Sequence, residues 1–202
     1  MADLDRSGET ADTTSGGGRG AGGTDDHLDE AGHEAWLRAC LDAADIPWEA
    51  GTRDGETVAT LPGEKKLRTV LSLVVGERAL ELRAFVIRNP DENHEAFYRY
   101  LLRRALRLPW VGYAVDASGD VYLTGRVPLA GLDEALLDEI LGAVLTACDE
   151  PFNELLRLGF WTSIRREWAW RIDRGEPTAN LEAFRAELEA LDAAEGGAQG
   201  QG

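Results

Sequence analysis

Side chains equipped for acid–base or metal chemistry are few in this chain, and they are scattered. His27, His33 and His94 are its three histidines. None is spaced with a second histidine, a cysteine or a carboxylate as a metal site requires. Cys40 and Cys148 fall on stretches with helical periodicity, where each reads as a small buried apolar residue and not as half of a disulfide. No serine-centred nucleophile elbow, phosphate-binding loop or dinucleotide fingerprint is present. The run Gly16–Gly23 follows no strand and opens no helix, so it reads as a linker. The acidic pairs Asp91/Glu92 and Asp133/Glu134 stand where helices should begin, and the helix dipole favours carboxylates there. An active site needs titratable groups that converge. The expectation is a non-enzymatic protein with no cofactor and no metal.

Two other sets of residues are suited to contact. Arg99, Arg103, Arg104 and Arg107 form a basic strip, with Glu95 spaced to pair with Arg99 one turn away. A solvated helix face is the ordinary explanation of such a strip. The sharper one is a dock for an acidic segment, from a partner or from the chain's own Glu-rich end. Nucleic acid is disfavoured by the net charge of −16. The second set is aromatic: Phe160, Trp161, Trp168 and Trp170. Trp161, Ile164, Trp168 and Ile172 share one helical face and Trp170 points elsewhere, so this helix needs two things to pack against. Core packing is the ordinary role, and an interface, where Trp is common, is the sharper one. Arg99, Arg103, Arg107, Trp161, Trp168 and Trp170 are therefore the candidate partner-binding residues.

The block Asn89–Leu129 must position the arginines. Asn89 sits as an N-cap, Pro90 as the first helical residue and Glu92 three residues after the cap, close to a capping box. Phe97, Leu101, Ala105 and Leu108 follow at helical spacing, with Tyr98, Leu102 and Leu106 beside them, a stripe wide enough to pack on a sheet. Pro109 stops the helix. Val111, Tyr113 and Val115 then alternate along one strand and Val121, Leu123 and Val127 along the next, around a turn with Gly119. Pairing Val115 with Val121 sets Tyr113 against Leu123 and Val111 against Gly125. That register puts Thr124 and Arg126 on the wetter face and leaves room at Gly125 for a large helix side chain.

Around this block the periodicity predicts a helix over 33–44, a short strand over 57–61, and an antiparallel hairpin of 67–75 and 79–88. A helix capped by Asp133 follows, with Leu132 and Leu137 as a hydrophobic staple. Pro151 kinks it or begins the next helix, which Gly175 and Pro177 close. Leu181, Phe184, Leu188 and Leu191 mark a last amphipathic helix, marginal alone and expected to dock. The order implies an α+β fold: an antiparallel sheet with helices packed on one side, plus extra C-terminal helices.

The chain has 202 residues, enough for one ordinary domain with tails. Residues 1–30 carry 8 acids and 2 bases, residues 31–175 carry 23 and 18, and residues 176–202 carry 6 and 1. Acidity thus sits at the ends. The expected divisions are a disordered acidic Gly-rich tail (1–30), an α+β domain (31–175), an amphipathic helix (176–195) and a disordered tail (196–202). No secretory signal and no apolar run near the roughly 20 residues of a membrane span are found, which points to the cytoplasm and to no membrane partner.

From about Glu34 to Phe160 the chain resembles the YbjN domain family of bacterial sensory transduction regulators. The carriers are Leu108-Pro109-Trp110-Val111-Gly112-Tyr113, then Asp116-Ala117-Ser118-Gly119-Asp120-Val121-Tyr122-Leu123, and the Leu-rich helix that follows. The resemblance implies a type III secretion chaperone-like fold and brings no catalytic residues. It favours a regulatory or chaperone-like protein-binding module with a protein partner, a homodimer being one form of it. The alternative is a small-ligand sensor with a pocket between sheet and helices lined by Phe97, Trp110 and Tyr113.

Overall fold

The computed structural model describes residues 29–199, so the tail expectations for 1–28 and 200–202 lie outside the described residues. The elements are α1 (Glu30–Ala43), β1 (Trp48–Ala50), β2 (Glu56–Pro62), β3 (Arg68–Val75), β4 (Ala79–Ile87), α2 (His94–Ala105), β5 (Val111–Val115), β6 (Val121–Pro128), α3 (Glu134–Asp149), α4 (Phe152–Arg174) and α5 (Arg185–Gln199). A short 3-10 turn, Ala179–Phe184, leads into α5. Helical backbone in α5 continues to Gln199, past Gly196 where the sequence suggested a tail.

The six strands form one sheet in the order β1-β2-β3-β4-β6-β5, every neighbouring pair antiparallel. Strand periodicity decides which residues go inward. Leu71, Leu73 and Val75 of β3 pair with Ala84, Leu82 and Leu80 of β4, and all six are buried. The β5–β6 register is the expected one: Val111 opposite Gly125, Tyr113 opposite Leu123, Val115 opposite Val121. Thr124 and Arg126 are exposed on the other face. Helical residues such as Leu37, Leu41, Phe97, Ile140 and Leu155 join the same core cluster as the inward strand residues. The opposite face carries Val70 and Phe85, 46% and 41% exposed, with Glu81, Arg83, Thr124 and Arg126 around them.

Four local expectations are corrected. β1 had no counterpart in the sequence reading, because three residues are too few to show alternation. The space over Gly125 holds no helix side chain: a Cβ there would lie 2.7 Å from the Trp110 carbonyl, 2.9 Å from Val111 and 3.2 Å from Leu82. The gap serves the close approach of a neighbouring strand. Helix α2 begins at His94, with Asn93 as its cap in a left-handed conformation (φ 53°) and no side-chain capping bond. The fourth concerns the apolar stripe of α2, whose Leu102 and Leu106 are 67% and 87% exposed.

Candidate partner-binding surface

Asn89, Asp91 and Glu92 hold α2 in place, though not as a cap. The Asn89 amide Nδ2 donates to the Ser118 carbonyl (3.1 Å), and its backbone N–H donates to Asp120 Oδ1 (2.8 Å). Asn89 thereby ties the strand exit to the β5–β6 turn. Its side chain lies over Gly119, where a Cβ would come within 2.5 Å of it. Glu92 accepts from the Thr162 N–H (2.7 Å) and the Thr162 hydroxyl (2.8 Å), and Asp91 accepts from Ser163 (3.0 Å). These carboxylates sit where α4 restarts after Phe160, whose φ of −142° breaks the helix. A carboxylate there supplies the acceptor that the freed amides lack. The acidic pair read as the first turn of α2 thus caps the second half of α4. Arg88 also grips Asp91 through two bonds of 2.7 and 2.8 Å and holds its carboxyl down at about 2.

Behind α2, Phe97 is fully buried and meets Phe160 edge-on at 6.5 Å. Gly159 permits this, since a Cβ there would lie 2.8 Å from Pro90 and 2.9 Å from Phe97. Arg104 turns inward from the basic strip: it bonds Glu150 (2.7 Å) and leans toward Tyr113. The Tyr113 hydroxyl donates to the Ala147 carbonyl (2.8 Å), and burial pushes its pKa up to about 12.

With Phe97 and Leu101 inward, the 3.6-residue turn sends positions 95, 99, 102, 103, 106 and 107 outward together. Arg99 pairs with Glu95. Arg103 and Arg107 are exposed, and neither has an ion pair among the described residues. Leu102 and Leu106 are exposed beside them. Trp110, at the break that follows, takes a left-handed conformation (φ 63°), is 45% exposed and donates from Nε1 to Glu139 (3.1 Å). The outer face of α2 is therefore arginine interleaved with leucine, beside the edge strand β5. Sequence reasoning found the arginines and missed the leucines. On a helical wheel both fall next to Arg99 and away from Phe97 and Leu101, and that was the signal.

The tryptophans lie elsewhere. Trp161 meets Phe184 edge-on at 6.1 Å, and Trp168 is 3% exposed with its Nε1 donating to Asp192 (2.8 Å). Both pack between α4 and the chain's own C-terminal elements. Arg157 fastens the same contact by bonding Glu187 (3.0 and 2.6 Å) and Glu154 (2.6 Å). Trp170 faces outward, 47% exposed, with Arg174 over its ring at 5.1 Å. The structure brings Arg99, Arg103 and Arg107 together on α2 and sets the tryptophans apart on α4. The pocket expected among Phe97, Trp110 and Tyr113 is not formed, because Phe97 has no exposed surface and Trp110 points out to Glu139. Among the described residues no three His, Cys, Asp or Glu side chains are grouped to hold a metal, and no helix is long and apolar enough to cross a membrane.

Comparison with known proteins places this geometry. The YbjN model, described as "Putative bacterial sensory transduction regulator", matches residues 33–157, stopping just before the Phe160 break. An uncharacterized protein of Mycobacterium leprae (strain TN) is 50% identical over 137 residues, 67% of this chain and 74% of that protein. Solved structures with a similar outline include a chain of the HopA1–SchA chaperone–effector complex. It has a TM-score of 0.45 and 14% identity, and the match covers 60% of this chain and 93% of that one. Another is the Yersinia pestis type III secretion chaperone SycH in complex with a fragment of YscM2. There the TM-score is 0.40 at 15% identity, covering 62% of this chain and 98% of that one. The family match spans the sheet, α1, α2, α3 and the start of α4, and this chain belongs to the YbjN family.

Proposed function

We propose that this protein is a non-enzymatic, chaperone-like protein-binding module, and that it takes an acidic, partly apolar segment of its partner on the outer face of α2. One observation carries the reading: Arg103 and Arg107, without ion pairs among the described residues, stand alongside the outward-facing Leu102 and Leu106. Leucines this exposed gain free energy when a partner covers them, and arginine is the cation most suited to a carboxylate at an interface. The complementary surface is an amphipathic segment with Asp or Glu beside bulky apolar side chains. A second copy of the chain fits less well, because a two-fold contact would set the arginines of one α2 against those of the other.

No reaction enters this reading. The two carboxyls whose pKa values are held down at about 2, Glu56 and Asp91, are occupied in holding loops and helix ends. The test is capture of partners from the native cell by wild type and by the Arg103→Glu/Arg107→Glu variant, with circular dichroism to check folding. The reading expects at least one partner to be lost with the fold intact. An unchanged set of partners overturns it.

A further inference from the structure

An open groove of about 400 Å³ runs between the C-terminal end of β4 and α4, away from the arginine face. Phe85, Phe152, Leu156, Phe160 and Ile164 make it mainly apolar. Its size falls in the range of about 300–1,000 Å³ common for small-molecule sites. Three charged residues line it: Lys66, Arg88 and Glu167. Two of them are neutralised, Arg88 by Asp91 (2.7 Å) and Glu167 by Arg171 (2.9 Å), with Asn180 also bonding Glu167 (3.0 Å).

Lys66 is different. The register of β4 shifts between Phe85 and Ile87, and the Lys66 ammonium donates to the carbonyls of both Phe85 and Val86 (3.0 Å for the latter). It makes no salt bridge among the described residues, although Asp149, which accepts from the Lys66 backbone N–H (2.8 Å), lies close enough to favour its charged form. The rings of Phe85 and Phe152 flank it, at 5.4 and 6.0 Å from Nζ, and burial pushes its pKa down. An ammonium has three N–H donors, and two are used. The groove therefore offers apolar walls, a positive charge with no salt bridge inside the groove and one unspent donor. A neutral apolar molecule would leave that donor without a partner in a partly dry site.

We propose that this groove binds an amphipathic monocarboxylate, a medium-chain aliphatic acid, with its carboxylate on Lys66 Nζ and its tail along Phe152, Leu156 and Ile164. The site is separate from the α2 face, and it includes Ser163, Ile164 and Glu167, which lie beyond residues 33–157 of the family match. It is built where the family body meets the second half of α4.

The test is titration of the ¹⁵N-labelled full chain with decanoate and with decanol, below their aggregation limits. Decanoate is expected to bind saturably, shifting amides of Lys66, Phe85–Arg88 and Phe152–Glu167. Decanol, lacking the charge, is expected to bind about tenfold more weakly, the size of one charge-assisted hydrogen bond. Lys66→Gln should bring decanoate to the level of decanol, and Lys66→Arg should restore the difference. Equal affinity of wild type for the two ligands overturns the proposal whether or not the variants fold. So does the absence of saturable binding, or shifts confined to other residues. Binding of a short acetylated peptide with one glutamate between two leucines, with decanoate inert, assigns the groove to a protein and also overturns it.

Discussion

At Glu56 a single carboxylate accepts from the amides of Thr52 (3.0 Å) and Arg53 (3.2 Å), the Arg53 guanidinium (2.7 Å) and the Ser72 hydroxyl (2.5 Å). The side chain is buried, and these bonds, the Arg53 one first, hold its pKa at about 2 against an ordinary 4.5. A depressed folded-state pKa contributes stability that is full above the unfolded value and is lost as pH falls through the folded one. Stability should thus decline between about pH 5 and pH 2. Glu56→Gln should lower stability at neutral pH and flatten that decline, measured by urea unfolding at a series of pH values; parallel curves for the two proteins would remove Glu56 as the cause. At Gly159 the missing Cβ lets Pro90 and Phe97 reach the backbone of α4. Gly159→Ala should cost about 1–3 kcal/mol by overpacking, visible as a lower denaturant midpoint, and an unchanged midpoint would mean that the loop relaxes freely. These roles were hard to read from sequence for a definite reason. Asn89, Pro90 and Glu92 have the types and spacing of a capping box, but their partners, Ser118, Asp120 and Thr162, are brought to them only by the folded sheet and α4. Local pattern gave the chemistry of the residues and misassigned the helix end they serve.

On the scale of elements, α4 is two helices joined at Phe160, and each half has its own cover. The first half packs on Phe97 and the sheet, and the second on the 3-10 turn and α5 through Trp161, Trp168, Phe184 and Leu188. Trp161 and Trp168 find their cover within the chain, while the second aromatic face, at Trp170, stays 47% exposed. Phe184→Ala should therefore destabilise by about 3–5 kcal/mol and shift tryptophan emission to the red as Trp161 loses its neighbour. Loss of stability without a red shift would separate Phe184 from the aromatic contact. Strand register was legible because alternation fixes the faces and the short turn from Asp116 to Asp120 fixes the pairing, as Val111, Tyr113 and Val115 demonstrate. The stripe on α2 was less so. Leu102 and Leu106 read as core by type, and only the direction of Phe97 and Leu101 decides that they face out.

At the scale of the molecule three surfaces stand out among the described residues: the face of the sheet away from the helices, the groove beside Lys66, and the outer face of α2. The sheet face carries both signs of charge, and Arg83 stacks on Tyr122 at 4.1 Å beside the Phe85–Tyr122 pair. Arg126 lies near Glu81 (3.8 Å). Among the described residues, α2 and the turn after it gather two exposed leucines beside two arginines without ion pairs, where the exposed Leu67 next to Arg68 stands as a single pair, in a chain whose net charge is −16. That contrast makes α2 the preferred dock. It also predicts that binding weakens with salt, because exposed arginine–carboxylate pairs are screened beyond about 8–10 Å. Hydroxyl-radical footprinting of the free protein and of the captured complex is the most direct measurement. The account predicts protection of Leu102, Leu106 and Trp110, with Val70, Phe85 and Tyr122 labelled as in the free protein. Protection of Val70, Phe85 and Tyr122 with Leu102 and Leu106 unchanged would move the partner to the open face of the sheet and contradict it.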